Sequence, residues 1–128
     1  MKNYTVVIPT TDYLVGISEI VIEDPLVSSV ICENNNLEAL PISNKYSSFV
    51  KSPTGIIEKI TGISSYRIDI TKKIEHGVSW QLSIAIAHIL NHLNLLDFSK
   101  DKELKPDKNT TIIWASGVIN SNYDVIYI

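Results

Sequence analysis

Ser79 follows Gly77-Val78 at the point where a strand-like run, Tyr66 to Thr71, passes through a polar turn, Lys72 to Val78, into a strongly apolar helix, Trp80 to Leu96. A serine opening a helix has its hydroxyl beside four backbone N–H groups that lack partners within the helix. Three chemistries suit that position: a helix N-cap, an activated nucleophile, or the rim of an anion site. Two other Gly-x-Ser segments, Gly16-Ile17-Ser18 and Gly62-Ile63-Ser64, do not open a buried helix. His76, three residues before Ser79, invites a Ser-His pair. Side-chain directions around a strand-to-helix turn rarely bring such neighbours into a nucleophile–base hydrogen bond, so a solvated loop histidine is the expectation. His88 and His92 lie four apart on the helix, a spacing that serves one metal ion if a third ligand converges. Ile89, Leu90 and Asn91 separate them, so the glutamate of a His-Glu-x-x-His site is missing. The expectation is no metal and no cofactor, with both imidazoles at the margin of the apolar stripe.

The elements that must position these groups read as strands first and helices later. Tyr4 to Pro9 and Tyr13 to Glu23 are rich in Val, Ile, Thr and Tyr, and Thr10-Thr11-Asp12 between them predicts a hairpin. Asp24-Pro25 breaks the second run. Leu26 to Glu33 predicts a third strand, and Leu37 to Ile42 a short fourth after the Asn34-Asn35-Asn36 turn. Asn44 to Gly62 reads as helical but interrupted, with Ser52-Pro53 expected to start a helix, serine as N-cap and proline in its first turn, that Gly62 ends. Tyr66 to Thr71 alternates as a half-buried strand does. In the following helix Leu82, Ala85, Ile86, Ile89, Leu90 and Leu93 recur at three-and-four spacing and predict the buried face. Asp97 to Asn109 is a charged loop. Thr110 to Ser116 predicts a strand buried on both faces, and Tyr123 to Ile128 a last strand after Asn120-Ser121-Asn122. The βαβ unit from Tyr66 to Ser116 makes the fold class α/β or α+β, with a mixed sheet and a central buried helix.

Composition narrows the function classes. A chain of 128 residues with 45% hydrophobic residues suffices for one domain with one core. Its net charge of −3, with the lysines between Lys100 and Lys108 interrupted by Asp101, Glu103 and Asp107, argues against nucleic acid or an acidic membrane as partner. No run approaches the roughly 20 apolar residues of a membrane span, and no signal-peptide-like segment opens the chain. The single Cys32 has no partner for an intramolecular disulfide and fits a buried side chain in a reducing, cytoplasmic setting. Trp80 and Trp114 are expected as core or edge aromatics, and an exposed one would be an anchor for a partner.

The order of alternating strand, polar loop, Gly-x-Ser opening an alanine-containing helix, charged loop, and strand ending in a small residue plus Gly resembles the proteolytic domain of Lon-type peptidases, over roughly Tyr66 to Ile128. In that family a Gly-Pro-Ser-Ala-Gly segment carries the nucleophile, and a Thr-Gly-Glu turn follows the next strand. The corresponding segments are Gly77-Val78-Ser79-Trp80-Gln81 and Ser116-Gly117-Val118. The resemblance implies a single Lon-peptidase-like domain of the ribosomal-protein-S5-domain-2-like fold, with Ser79 as catalytic residue and Gly77, Ser116 and Gly117 as oxyanion or turn residues. The same fold is shared by small-molecule kinases, whose phosphate loop is richer in glycine and serine than this segment.

The departures from the family set the functional expectation. Its general base is a lysine in a Gly-Gly-x-Lys segment one strand further on, and the sequence ends at Ile128 before such a segment. Lysines of the charged loop, such as Lys105 or Lys108, are expected to be too well solvated to act as base. Trp80 and Gln81 replace small residues, and Val118 replaces the glutamate of the turn. The reading is therefore a Lon-like domain without a complete Ser-Lys dyad, the front of a longer polypeptide, acting as a protein-interaction or regulatory module on a protein partner or on further domains. Its alternative is a serine peptidase whose lysine lies beyond Ile128. Tyr123 and Tyr127 on the last strand make dimerisation through that strand a further expectation.

Overall fold

The computed structural model describes residues 3–34, 36–98, 110–120 and 122–126. Lys105, Lys108 and Tyr127 therefore lie outside the described residues, as does most of the charged loop. Five strands form a mixed sheet in the order β3-β4-β2-β1-β5: β1 (Asn3–Pro9), β2 (Leu14–Ile22), β3 (Val30–Glu33), β4 (Tyr66–Ile70) and β5 (Thr110–Trp114). β1 and β2 make the expected antiparallel hairpin, with Val7 opposite Gly16. β2 runs antiparallel to β4 with a bulge between Ile17 and Glu19, while β3 pairs parallel with β4 and β5 parallel with β1. β6 (Val118–Ile119) and β7 (Val125–Ile126) form a separate two-stranded sheet.

Three helices, α1 (Ser43–Val50), α2 (Ile57–Thr61) and α3 (Gln81–His92), complete a mixed α/β domain. α1 packs on β3, α3 on β1, and α2 against α3. Alternation sends Val6 and Ile8 of β1, Val15 and Ile17 of β2, and Tyr66, Ile68 and Ile70 of β4 into one core with Tyr46, Phe49, Trp80 and Ile84 from the helical side. No helix among the described residues is long and apolar enough to cross a membrane.

Several sequence expectations give way to tertiary partners. The predicted strand Leu26 to Glu33 shortens to β3, because Asp24 turns the chain: its Oδ1 accepts from Leu26 N–H at 2.8 Å, and its carbonyl from Val27 N–H at 2.9 Å. Leu37 to Ile42 makes only a single bridge, Ala39 to Cys32, before the chain enters α1. The interrupted helical stretch expected over Asn44 to Gly62 forms two helices: α1 begins at Ser43, whose Oγ accepts from Ile31 N–H at 3.0 Å and donates to Ile31 C=O at 3.2 Å, while the helix expected to start at Ser52-Pro53 starts at Ile57 as α2. Ser52-Pro53 sits in the turn after α1 with a cis peptide bond. Gly62 does end α2, at φ 79°, where a left-handed residue suits glycine. Among the described residues β5 lies at the end of the strand order rather than being buried on both faces, and Trp114 is 68% exposed.

The buried face of α3 matches the expected stripe only in part: Ala85 is buried and Ile86 and Leu90 pack against the core. Ser83, Ile84, Ala85, Ala87 and His88 are buried, whereas Ile89 and Leu93 are exposed. The helix is apolar almost all round, so periodicity alone could not choose the face. Two polar groups settle it by finding partners inside: Ser83 Oγ donates to the carbonyls of Val7 and Ala115, and His88 shares a hydrogen bond with Tyr46. Asn94, at φ 59°, then stops the helix, with Leu95 N–H on Leu90 C=O at 2.8 Å.

Candidate functional site

Ser79 lines a cleft of about 450 Å³ between the β1–β2 turn, the segment from Lys73 to Gly77, the start of α3 and Ser116. Each wall is fixed by local chemistry. The β1–β2 turn is closed by Thr10, whose N–H donates to Tyr13 C=O at 2.9 Å and whose Oγ1 accepts from Tyr13 N–H at 3.1 Å. Tyr13 then ties the two loops together, since its hydroxyl donates to Lys73 C=O while Lys72 Nζ lies 5.0 Å from the centre of its ring. Behind them Thr71 Oγ1 accepts from Gly16 N–H at 2.9 Å, anchoring the loop on β2. Gly77, at φ 89°, turns its carbonyl to accept from Trp80 Nε1 at 2.9 Å. The Trp80 ring is thereby locked, 1% exposed, edge-on to Phe49 at a centroid distance of 5.7 Å.

The start of α3 is capped by a distant backbone segment and not by Ser79. Trp80 occupies the N-cap position without a side-chain cap bond, and Gly117 completes the turn: its C=O accepts from Leu82 N–H at 3.1 Å, and its N–H donates to Ser79 C=O at 3.0 Å. The N-cap expectation for Ser79 is thereby overturned, because the acceptor the helix needs arrives from the loop after β5. The same bond engages the Gly117 N–H, so Gly117 does not offer an oxyanion donor in this arrangement. Ser116 and Gly77 remain on the wall of the cleft. Ser79 Oγ, half-buried, has no hydrogen-bond partner among the described residues.

The cleft contains a lysine that sequence reasoning passed over. Lys73 Nζ lies 2.9 Å from Glu75 Oε1, with both side chains well exposed. The hydrogen bond and charge of Glu75 push the Lys73 ammonium up from its ordinary value, and Lys73 holds the Glu75 carboxyl down. A general base for serine needs the opposite, an amine desolvated and lowered toward neutrality. His76 shares the cleft as an exposed loop residue, and no hydrogen bond joins it to Ser79. The signal for Lys73 was its place two residues from Glu75 in the turn before Ser79. Only the fold shows that this turn borders the same cavity.

The two helix histidines diverge. His88 is 1% exposed, its Nε2 2.8 Å from Tyr46 Oη and its ring 4.4 Å from that of Tyr66, whereas His92 is exposed. His88 Nδ1 is buried without a partner, and burial pushes the imidazole down to about 3. Among the described residues no group of three His, Cys, Asp or Glu side chains is placed to hold a metal ion. Comparison with protein-family models, curated proteins and solved structures finds no match to this chain.

Proposed function

We propose that this chain is a Lon-peptidase-like domain without a working Ser-Lys dyad, serving as a protein-interaction or regulatory module in the cytoplasm. The observation that carries the reading is Lys73, which borders the Ser79 cleft yet is exposed, paired with Glu75 and held in its protonated form. Gly117, committed through its N–H to Ser79 C=O, supports the same view. Exposed Trp114 supplies the kind of aromatic anchor that concentrates binding energy at interfaces, and the single buried Cys32 fits a reducing compartment.

A second reading is favoured by one feature. Ser79 borders the cleft and its Oγ has no hydrogen-bond partner among the described residues, as a nucleophile awaiting a base would. Incubation with a fluorophosphonate and with an unfolded protein substrate separates the two. The interaction-module reading expects neither labelling at Ser79 nor cleavage. Cleavage that disappears in Ser79→Ala would establish the peptidase instead.

A further inference from the structure

A second cleft, of about 520 Å³, opens between α1, the turn after it, the start of α3 and the end of β6, and shares no lining residue with the Ser79 cleft. Its walls are fixed by backbone. The turn folds back until Ile56 N–H reaches Phe49 C=O at 2.9 Å, and a Cβ on Gly55 would stand 2.3 Å from Val50 C, so any other residue there collides with backbone. Thr54 Oγ1 holds the turn by donating to Ser48 C=O at 2.9 Å. Phe49, Ile56 and Ile119 supply the apolar lining. Beside them stand Asn44, Lys45, Ser48 and Gln81, whose side chains have no hydrogen bond or ion pair among the described residues. Asn120 Oδ1 accepts from Asn122 and Asp124 N–H, which leaves its Nδ2 without a partner among those residues. Asn44 and Ser48, four apart on α1, are poor helix formers in a helix that has neither an acidic first turn nor a side-chain cap. Such groups do little for the helix itself, and departures of this kind concentrate at functional sites.

We propose that this cleft binds an acylated amino acid with an aliphatic side chain, taken either as the free compound or as the carboxyl-terminal residue of a peptide. The charge of the lining selects a carboxylate. In a chain of net charge −3 the cleft is lined by one ammonium, Lys45, and by no acidic side chain. A single cation matches the single charge of a carboxylate better than the nearly doubled charge of a phosphate monoester. The carboxamides of Asn44 and Gln81 each present donor and acceptor in one plane, which is the complement of a ligand amide. Phe49 is 7% exposed and set edge-on to Trp80, so the lining offers no open ring face on which a sugar could lie. What Phe49, Ile56 and Ile119 do offer suits a branched aliphatic side chain. An exposed lysine and a few amides make a weak site, with a dissociation constant on the order of 1 mM for one residue.

The site goes beyond the Ser79 cleft and stands or falls apart from it, since Ser79 labelling is silent about a cleft with other walls. Nitrogen–proton correlation spectra of the full chain, titrated with N-acetyl-leucine, should show saturable shifts in the side-chain amide signals of Asn44, Gln81 and Asn120. The methyl ester of N-acetyl-leucine, which lacks the charge, and leucine itself, which lacks the acyl amide, should each bind at least about tenfold more weakly. Lys45→Gln, a change at an exposed position, should weaken N-acetyl-leucine about tenfold, while Lys59→Gln on α2 leaves it unchanged. The peptide acetyl-alanyl-alanyl-leucine separates the two sources. Tighter binding than N-acetyl-leucine assigns the cleft to peptide carboxyl termini, and equal or weaker binding assigns it to the free acylated amino acid. No saturable shift from either probe at about 20 mM would overturn the proposal. So would equal binding of the ester, or shifts confined to the Ser79 cleft. If Lys45→Gln fails to fold, the comparison of acid with ester decides alone.

Discussion

Ser79 and His88 carry opposite lessons about polar groups on one helix. Ser79 begins the chain's turn into α3, but its hydroxyl bonds to none of the described residues, and the helix is capped by Gly117 C=O. Ser79→Ala and Ser79→Gly should therefore each change stability by no more than about 0.5 kcal/mol in urea denaturation, against about 1 kcal/mol for alanine replacing a true N-cap serine. His88 is buried to the point that its protonated form is excluded, and its folded pKa lies near 3 against an ordinary 6.5. The unfolded chain binds this proton first as the pH falls. Stability from His88 is thus fully present above about pH 6.5 and is lost toward pH 3, at up to roughly 1.4 kcal/mol per unit. Asp69, raised by burial, works in the opposite sense at lower pH. Urea midpoints measured from pH 7 to pH 4 should fall less steeply in His88→Gln than in the parent, and equal slopes would remove His88 as the cause.

At the scale of elements, α3 is held at three points. Ser83 joins it to the ends of β1 and β5 through the carbonyls of Val7 and Ala115, Trp80 plugs the core at its start, and Asn94 releases the chain at its end. Removing the Ser83 hydroxyl leaves buried carbonyls short of a donor, so Ser83→Ala should cost about 1 kcal/mol. The stop of α2 depends on backbone conformation alone, since nothing lies within 4 Å of a Cβ built on Gly62 at φ 79°. Gly62→Ala should cost about 1–2 kcal/mol without any steric clash, and denaturation midpoints of both variants give the check.

For the whole molecule, the helices pack on the face that takes Tyr66, Ile68 and Ile70, and the segment after β3 reaches the other, where Leu37 C=O lies 3.9 Å from Cys32 Sγ. On that face Cys32, Asp69 and Glu19 stand in one row across β3, β4 and β2. Cys32 is only 2% exposed, and burial, with the nearby Asp69 charge, pushes its thiol up. A thiolate is the reactive form, so a disulfide reagent at pH 7 should modify Cys32 at a rate set by opening of the fold and reach completion only in denaturant. Rapid modification of the native chain would mean that β3 opens far more readily than the rest of the sheet.

The residues of β1, β2 and β4 largely determined their own structure. Alternation in Tyr66 to Ile70 selects which side chains face inward, the Thr10-Thr11-Asp12 turn closes a hairpin between β-rich runs, and Gly62 supplies a left-handed stop; these depend on neighbours a few residues away. The position of Ser79 at the start of α3 was equally legible. Long-range pairing decided the remainder. The face of a nearly all-apolar helix was chosen by the partners of Ser83 and His88, and the start of α1 by the exchange of hydrogen bonds between Ser43 and Ile31. The cap of α3 came from Gly117, 35 positions after Leu82, and the environment of Lys73 came from a cleft assembled by three separate segments. An apolar run such as Thr110 to Trp114 has the same composition at the end of a strand order as at its centre, so only the pairing of the described strands could place it at the end.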